Sequence, residues 1–136
     1  MPSGALVAAV TARLKASWTE TSIIEDDTTG QGTPDGSPYV TVEYPVARED
    51  QITIGAPSNN VFRERGVIRL VLSFQTGGGL TQPLALMDQL RALFRGQQFD
   101  GVTTFTPSPA IVDPTNYQGG RFKMSSAVPY YLDLLA

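Results

Sequence analysis

The sequence contains no cysteine and no histidine in its 136 residues. These absences exclude disulfides, thiolate and imidazole metal sites, and hydrolases that pair a nucleophile with histidine. A general base near neutral pH would have to be a carboxylate or a lysine with a shifted pKa, and the two lysines are Lys15 and Lys123. We therefore predict a protein that is not an enzyme and that uses no cofactor and no metal ion.

Charged residues are also scarce, at 17% of the chain, and the net charge is −3. Because 41% of the residues are hydrophobic, a highly charged disordered chain is excluded. The acidic balance argues against a protein that grips nucleic acid through phosphate contacts. No apolar run approaches the roughly 20 residues that span a bilayer, so we expect no membrane partner.

Apolar periodicity predicts two helices. The first covers residues 4–17, with Ser3 as its N-cap. The second is capped by Thr81 and ends just before Gly96, a residue that suits the position after a helix end. Leu84 falls outside its apolar stripe. That stripe spans about 120° of a helical projection and contains Leu86, Met87, Leu90, Leu93 and Phe94.

Five segments have the alternation or the β-branched and aromatic content of strands. They are residues 38–45, 49–54, 65–75, 98–107 and 121–134. Pro129 interrupts the last segment, which predicts an edge strand or a bulged strand. The order α-β-β-β-α-β-β predicts an α+β fold, in which a single, mainly antiparallel β-sheet has both helices packed on one face. We expect residues 1–136 to form one domain.

Two long stretches, residues 19–37 and 108–120, are rich in turn-forming residues and are predicted to be loops. The first contains a candidate mobile acidic loop, with Glu25, Asp26, Asp27 and Asp35. A weak divalent-cation site is the alternative interpretation there, although the spacing does not match an EF-hand. The three glycines at 77–79 precede a helix and could cradle a phosphate, but no lysine follows them, and a flexible turn is the simpler interpretation.

The segment 65–75 has two different faces. The even-numbered residues from 68 to 74 are all apolar, whereas Val67, Arg69 and Val71 belong to a face that is only half polar. A strand covered on one face alone would alternate more cleanly. The second face therefore indicates a partner surface or a second layer of structure.

The segment just before it combines an aromatic residue with arginines between two strands. Arginine and aromatic side chains are enriched at the centres of protein interfaces. The candidate contact residues are Asn59, Asn60, Val61, Phe62, Arg63 and Arg65. The alternative is a hairpin whose Phe62 folds into its own core.

Several strings, in their order and spacing, resemble the tail terminator proteins of long-tailed bacteriophages. The first is the alanine-rich AAVTARL of the first helix, and PYVTVEY follows after a loop rich in Gly, Pro and Asp. QITIG comes next, then an arginine-containing strand that ends in LSFQTGGG, and then ALMDQLRALFRG before two closing strands. The resemblance covers nearly the whole chain.

This resemblance implies a structural virion protein that assembles in the host cytoplasm as a homohexameric ring at the head–tail junction. One side of the ring would meet the tail tube protein and stop its polymerisation. The other side would meet the head-completion, or stopper, protein, and genomic DNA would pass through the channel without sequence-specific binding. In such a ring one patch meets a different patch on the next subunit. We predict that Val67, Arg69 and Val71, or the hairpin at 59–65, supply one patch.

Three alternatives stay open at this point. Other small head–tail connector or tail-completion proteins share similar helices and sheets. A soluble ligand-binding module would need a preformed pocket with a few convergent polar groups. An acidic metal-dependent hydrolase would need carboxylates beyond those at 25–27.

Overall fold

The computed structural model describes residues 3–23, 38–75, 79–118 and 121–135. Within these ranges the chain forms two helices and seven strands. The helices are α1 (Gly4–Ser17) and α2 (Thr81–Phe94). The strands are β1 (Ser22–Ile23), β2 (Tyr39–Gln51), β3 (Val61–Gln75), β4 (Gln98–Phe99), β5 (Val102–Thr104), β6 (Ile111–Gln118) and β7 (Arg121–Leu135).

The strands form one sheet in the order β1-β2-β3-β7-β5-β4, and β6 also pairs with β7. Every pairing is antiparallel except the short parallel contact of β1 with β2. The long strands β3 and β7 pair along their full length, from Val61 opposite Leu135 to Gln75 opposite Arg121. The predicted α+β fold with a mainly antiparallel sheet is confirmed.

The hydrophobic core lies between the two helices and one face of the sheet. The even-numbered residues of β3 and β7 turn to this face, and Ile68, Leu70 and Val128 are fully buried there. Both helices contribute to the same cluster, through Leu6, Val10 and Leu14 of α1 and Met87, Leu90 and Phe94 of α2. The Arg13 Nε also donates a hydrogen bond of 2.7 Å to the Leu93 carbonyl and so joins the helices directly.

Three of the four helix ends lie where the sequence predicts them: both ends of α1, and the end of α2 before Gly96. The Ser3 hydroxyl accepts a hydrogen bond from the Leu6 N–H, as expected of an N-cap. Gly96 has a φ of +56° just beyond α2, which favours glycine. Thr81, however, is the first helical residue of α2, so the predicted cap is wrong. Leu80 occupies the N-cap position without a side-chain cap bond.

A bulge explains why the segments predicted separately at 38–45 and 49–54 form the single strand β2. The pairing register with β3 shifts between Glu43 and Val46, so the bulge contains Pro45. Proline is tolerated at bulges and at strand edges, where its missing N–H breaks no ladder bond. The proline therefore bends β2 without ending it.

The bulge also leaves Tyr44 half-buried against the core. Burial raises the pKa of Tyr44 to about 12. An unfolded tyrosine ionises near pH 10, so the stabilisation from neutral Tyr44 is complete below about pH 10 and is lost as pH rises toward 12. We expect urea unfolding to show falling stability across this range, and Tyr44→Phe to lessen the fall. An unchanged slope in the variant would contradict this account.

One predicted strand and two predicted loops differ from the sequence-based expectation. The predicted strand at 98–107 is split into β4 and β5 by a tight turn at Asp100 and Gly101, both with positive φ. An Asp-Gly pair between strands is a strong hairpin signal. The loop predicted at 108–120 contains β6, and the loop predicted at 19–37 contains β1.

Pro129 lies in a central strand, so the predicted edge or bulged position of this segment is wrong. The Pro129 carbonyl accepts a hydrogen bond from the Phe105 N–H, at 3.0 Å. In a strand the N–H and C=O of one residue point to the same side, so the missing N–H also faces Phe105. There β5 has ended and β6 has not begun. The missing N–H of Pro129 therefore faces the irregular segment between β5 and β6, and the pairing of β3 with β7 stays intact.

Candidate assembly interface

The face of the sheet opposite the helices, called the outer face below, carries the odd-numbered residues of β3 and β7. Val67 and Arg69 are half-buried and Arg65 is exposed on this face. The strand pairing places these side chains in rows with their neighbours on β2 and β7. The outer face is therefore a continuous surface over three strands.

Apolar and charged rows alternate across the outer face. An apolar row at its far end contains Ile52, Val61 and Leu135. The next two rows are Asp50–Arg63–Asp133 and Arg48–Arg65–Tyr131. A second apolar row, Val46–Val67–Pro129, is followed by Glu43–Arg69–Ala127.

An arginine–aromatic cluster lies near the Val61 end of the outer face. The Arg63 guanidinium donates two hydrogen bonds to the Asp133 carboxylate, of 2.7 and 2.9 Å. The same group sits 4.3 Å from the centre of the Tyr131 ring, and the Phe105 ring is 5.7 Å from that of Tyr131. The hydrogen bond from Arg63 lowers the pKa of Asp133, so the pair is fully charged at neutral pH.

Basic side chains are concentrated on the outer face. Its described side chains include Arg48, Arg63, Arg65, Arg69 and Lys123, half of the ten basic residues of the chain. The acidic side chains there are Glu43, Asp50 and Asp133. Arg69 lies 3.8 Å from Glu43, and Arg48 lies 3.0 Å from Asp50. Counted over the side chains that the structure describes, five basic and three acidic groups give the outer face a net charge of +2, in a chain whose net charge is −3.

The strand register brings five of the nine predicted contact residues together on the accessible outer face: Val61, Arg63, Arg65, Val67 and Arg69. Val71 shares the face but is only 7% exposed. Phe62 turns to the opposite face of the sheet and is half-buried, but it is not among the residues that form the hydrophobic core or pack against it. Asn59 is exposed, whereas Asn60 is buried.

The hairpin that joins β2 and β3, called the tip below, covers residues 52–60. All of its side chains except Asn60 are exposed, and Ile54 is 92% exposed. The Asn60 Oδ1 accepts hydrogen bonds from the Ala56 N–H and the Thr53 hydroxyl. The Thr53 hydroxyl oxygen in turn accepts a 2.7 Å bond from the Val61 N–H. Asn60 therefore stabilises the backbone of the tip.

Sequence reasoning missed Val46, Ile54, Phe105 and Tyr131 as surface residues. Phe105 and Tyr131 meet only because β5 and β7 pair, a contact between distant parts of the chain. Ile54 ends the strand predicted at 49–54, and no local signal distinguishes an exposed isoleucine from a buried one. The candidate acidic-loop residues Glu25, Asp26, Asp27 and Asp35 lie outside the described residues, as do Gly77 and Gly78.

A family model described as phage tail terminator protein matches residues 5–130. The chain belongs to the phage tail terminator family. The resemblance suspected from the sequence strings is thereby confirmed. A tail terminator is a structural protein of the phage tail, so the outer face and the tip are surfaces of a virion component. No helix in the described ranges is long and apolar enough to cross a membrane.

One solved structure has the same fold as this terminator, with a TM-score of 0.58 at 16% sequence identity. The similarity covers 100% of this chain and 99% of the other chain. A comparison with curated proteins gave no match. At 16% identity, this similarity supports the fold of the terminator and nothing about its function.

Proposed function

We propose that six copies of the chain form a ring that caps the tail tube and stops its polymerisation. The ring offers the opposite side to the head-completion, or stopper, protein, and genomic DNA passes through its channel. Family membership supports this role, and the net charge of −3 favours a channel that does not retain DNA. The protein acts without catalysis.

The observation that carries the proposal is the accessible part of the outer face, from Val61 to Arg69 of β3, with its arginine–aromatic cluster. Monomeric proteins rarely leave a broad apolar surface open to water. Here Val46 is 55% exposed and Phe105 is 47% exposed, beside Arg63 and Tyr131. Arginine and tyrosine are enriched among the residues that dominate binding energies, so this surface fits a neighbouring subunit.

The edge of β2 that faces away from β3 supports a contact through the face of the sheet and not through this edge. Beyond its short pairing with β1, the outer edge of β2 carries the bulge, Pro45, and the charged residues Arg48 and Glu49. Bulges, prolines and edge charges are devices that prevent strands of two molecules from pairing edge to edge. A ring contact by extension of the sheet at this edge is therefore disfavoured.

The native mass of the purified protein over a concentration series tests the proposal. We expect a species near six times the chain mass of 14.6 kDa, either alone or after addition of purified tube protein, and six-fold rings in negative-stain images. Arg69→Glu should shift assembly to concentrations roughly tenfold higher or more, because it reverses a charge at the centre of the outer face.

Arg95→Glu is the matched control, because Arg95 is exposed just after α2 and lies outside the outer face. It should assemble like the unaltered protein. If both variants form rings and join tubes normally, the outer face is not the ring contact. If the unaltered protein stays monomeric even with tube protein, the terminator ring itself is disproved.

A further inference from the structure

The tip has the features of a rigid anchor. Besides the bonds of Asn60 and Thr53, the Gln51 side chain donates to the Thr53 carbonyl at 2.8 Å, and the Asn59 N–H donates to the Ala56 carbonyl at 2.8 Å. These bonds fix the backbone that presents Ile54. An anchor held in its bound conformation loses little entropy on binding.

A second exposed apolar patch lies at the start of α2. Leu80 is 47% exposed and Leu84 is 37% exposed. They are four residues apart at the start of the helix, so their side chains are neighbours on its surface. The buried side of α2 is formed by other residues, among them Leu86 and Leu90. Packing in the core of this chain therefore does not explain why two leucines occur at these exposed positions.

The tip and the start of α2 lie toward opposite ends of β3. The tip leads into Val61, the first residue of β3, whereas Leu80 follows Gln75, its last residue, by five positions. A strand of 15 residues is roughly 45 Å long. Two different patches far apart on one molecule are what a closed ring of identical subunits requires, because each subunit must give one patch and receive the other.

The sequence around each of the two patches is free of charged residues. No charged residue occurs between Asp50 and Arg63, or between Arg69 and Asp88. Asp88, four residues after Leu84, is paired with Arg91 at 3.2 Å, so a contact between the two patches would bury apolar surface without burying an unpaired charge, which is costly. The apolar row of Ile52, Val61 and Leu135 makes the tip continuous with the outer face.

We infer that the tip of one subunit docks on Leu80 and Leu84 of the next copy of this chain, with Ile54 as the central side chain. This inference rests on the proposed ring and identifies the second half of its contact. The start of α2 is the receiving surface, and the tip is the inserted one.

Pairs of engineered cysteines test the inference directly, because the chain has no cysteine of its own. The double variant Ile54→Cys with Leu84→Cys, treated with a short bismaleimide, should give covalent products from two chains up to a closed six-chain species. Ile54→Cys with Gln89→Cys is the matched control, since Gln89 is exposed on the same helix outside the patch. It should give at most traces of product.

A separate variant measures the energetic contribution of the tip. Ile54→Ser changes a side chain that is 92% exposed, so the fold should be unaffected. Assembly should need roughly tenfold more protein, as expected for the loss of one central anchor. The thermal unfolding midpoint of the dilute, unassembled variant should equal that of the unaltered protein.

The contrary outcomes separate the inference from the proposed ring. Normal rings by native mass, with no Ile54–Leu84 product either alone or on tubes, overturn the inference and leave the ring standing. A cross-link in the Ile54→Cys single variant between two tips, or between the tip and tube protein, overturns it as well. Absence of rings under both conditions overturns the ring and the inference together.

Discussion

Gly66→Ala is expected to lower the free energy of unfolding by about 3 kcal/mol or more, or to prevent folding. A Cβ atom at this position would lie 2.1 Å from the Val46 carbonyl oxygen and 3.0 Å from two atoms of the Tyr130 side chain. Val46 directly follows the bulge in β2, and its carbonyl oxygen lies over Gly66. A backbone carbonyl cannot move aside as a flexible side chain can, so the clash would distort β2 and β3 together.

Denaturant unfolding monitored by circular dichroism measures this loss. Gly4→Ala is the matched control, because a Cβ on Gly4, the first residue of α1, meets nothing within 4 Å. Alanine favours helix over glycine by up to about 1 kcal/mol, so the control should be unchanged or slightly more stable. A loss below about 1 kcal/mol for Gly66→Ala would mean that the sheet can relax around the bulge.

Tyr130→Phe is expected to cost about 2 kcal/mol of stability. The Tyr130 hydroxyl donates a 2.7 Å hydrogen bond to the Glu64 carboxylate, which is only 4% exposed. The Ser3 N–H at the start of α1 also donates to this carboxylate, at 3.1 and 3.3 Å. Hydrogen bonds to charged groups contribute roughly 1.5–3 kcal/mol, and a buried charge that loses one is costly. The variant would leave Glu64 with Ser3 as its remaining hydrogen-bond donor among the described residues.

Tyr131→Phe gives a direct comparison for this prediction. Tyr131 is the next residue but lies half-buried on the outer face, where its ring packs against Arg63 and Phe105. The same deletion of one oxygen there should change stability by less than about 0.5 kcal/mol. Equal losses in both variants would show that the bond between Tyr130 and Glu64 contributes nothing specific.

The sequence predicted those elements whose signals are local. The apolar stripe of α2 and the cap at Ser3 depend on residues within a few positions of one another, and both were predicted correctly. The cap at Thr81 failed because Leu80, with no capping side chain, takes the N-cap position. The sequence wrongly predicts that a strand ends at Pro45, because a bulge that accommodates proline depends on the partner strand β3.

In the candidate interface, too, the features that depend on local sequence were predictable and those that depend on distant contacts were not. Alternation along β3 placed Val67 and Arg69 on a separate face, because a strand has a period of two residues. The same alternation would have turned Phe62 away from Arg63, had the strand been predicted to begin at Val61. The contact of Phe105 with Tyr131, and the burial of Val71, depend on which strands become neighbours, and no short window of sequence carries that information.

The position of β7 in the sheet has a consequence for the timing of folding. Its residues pair with β3 partners that were synthesised 46 to 74 residues earlier, so the loop that must close is long and the pairing is slow. Until β7 emerges from the ribosome and inserts, β3 lacks its central neighbour. Tyr131 and Asp133 are likewise absent, so the outer face does not yet exist. A nascent or truncated chain therefore cannot present the proposed contact surface, and only completely synthesised subunits are able to compete for a place in the ring.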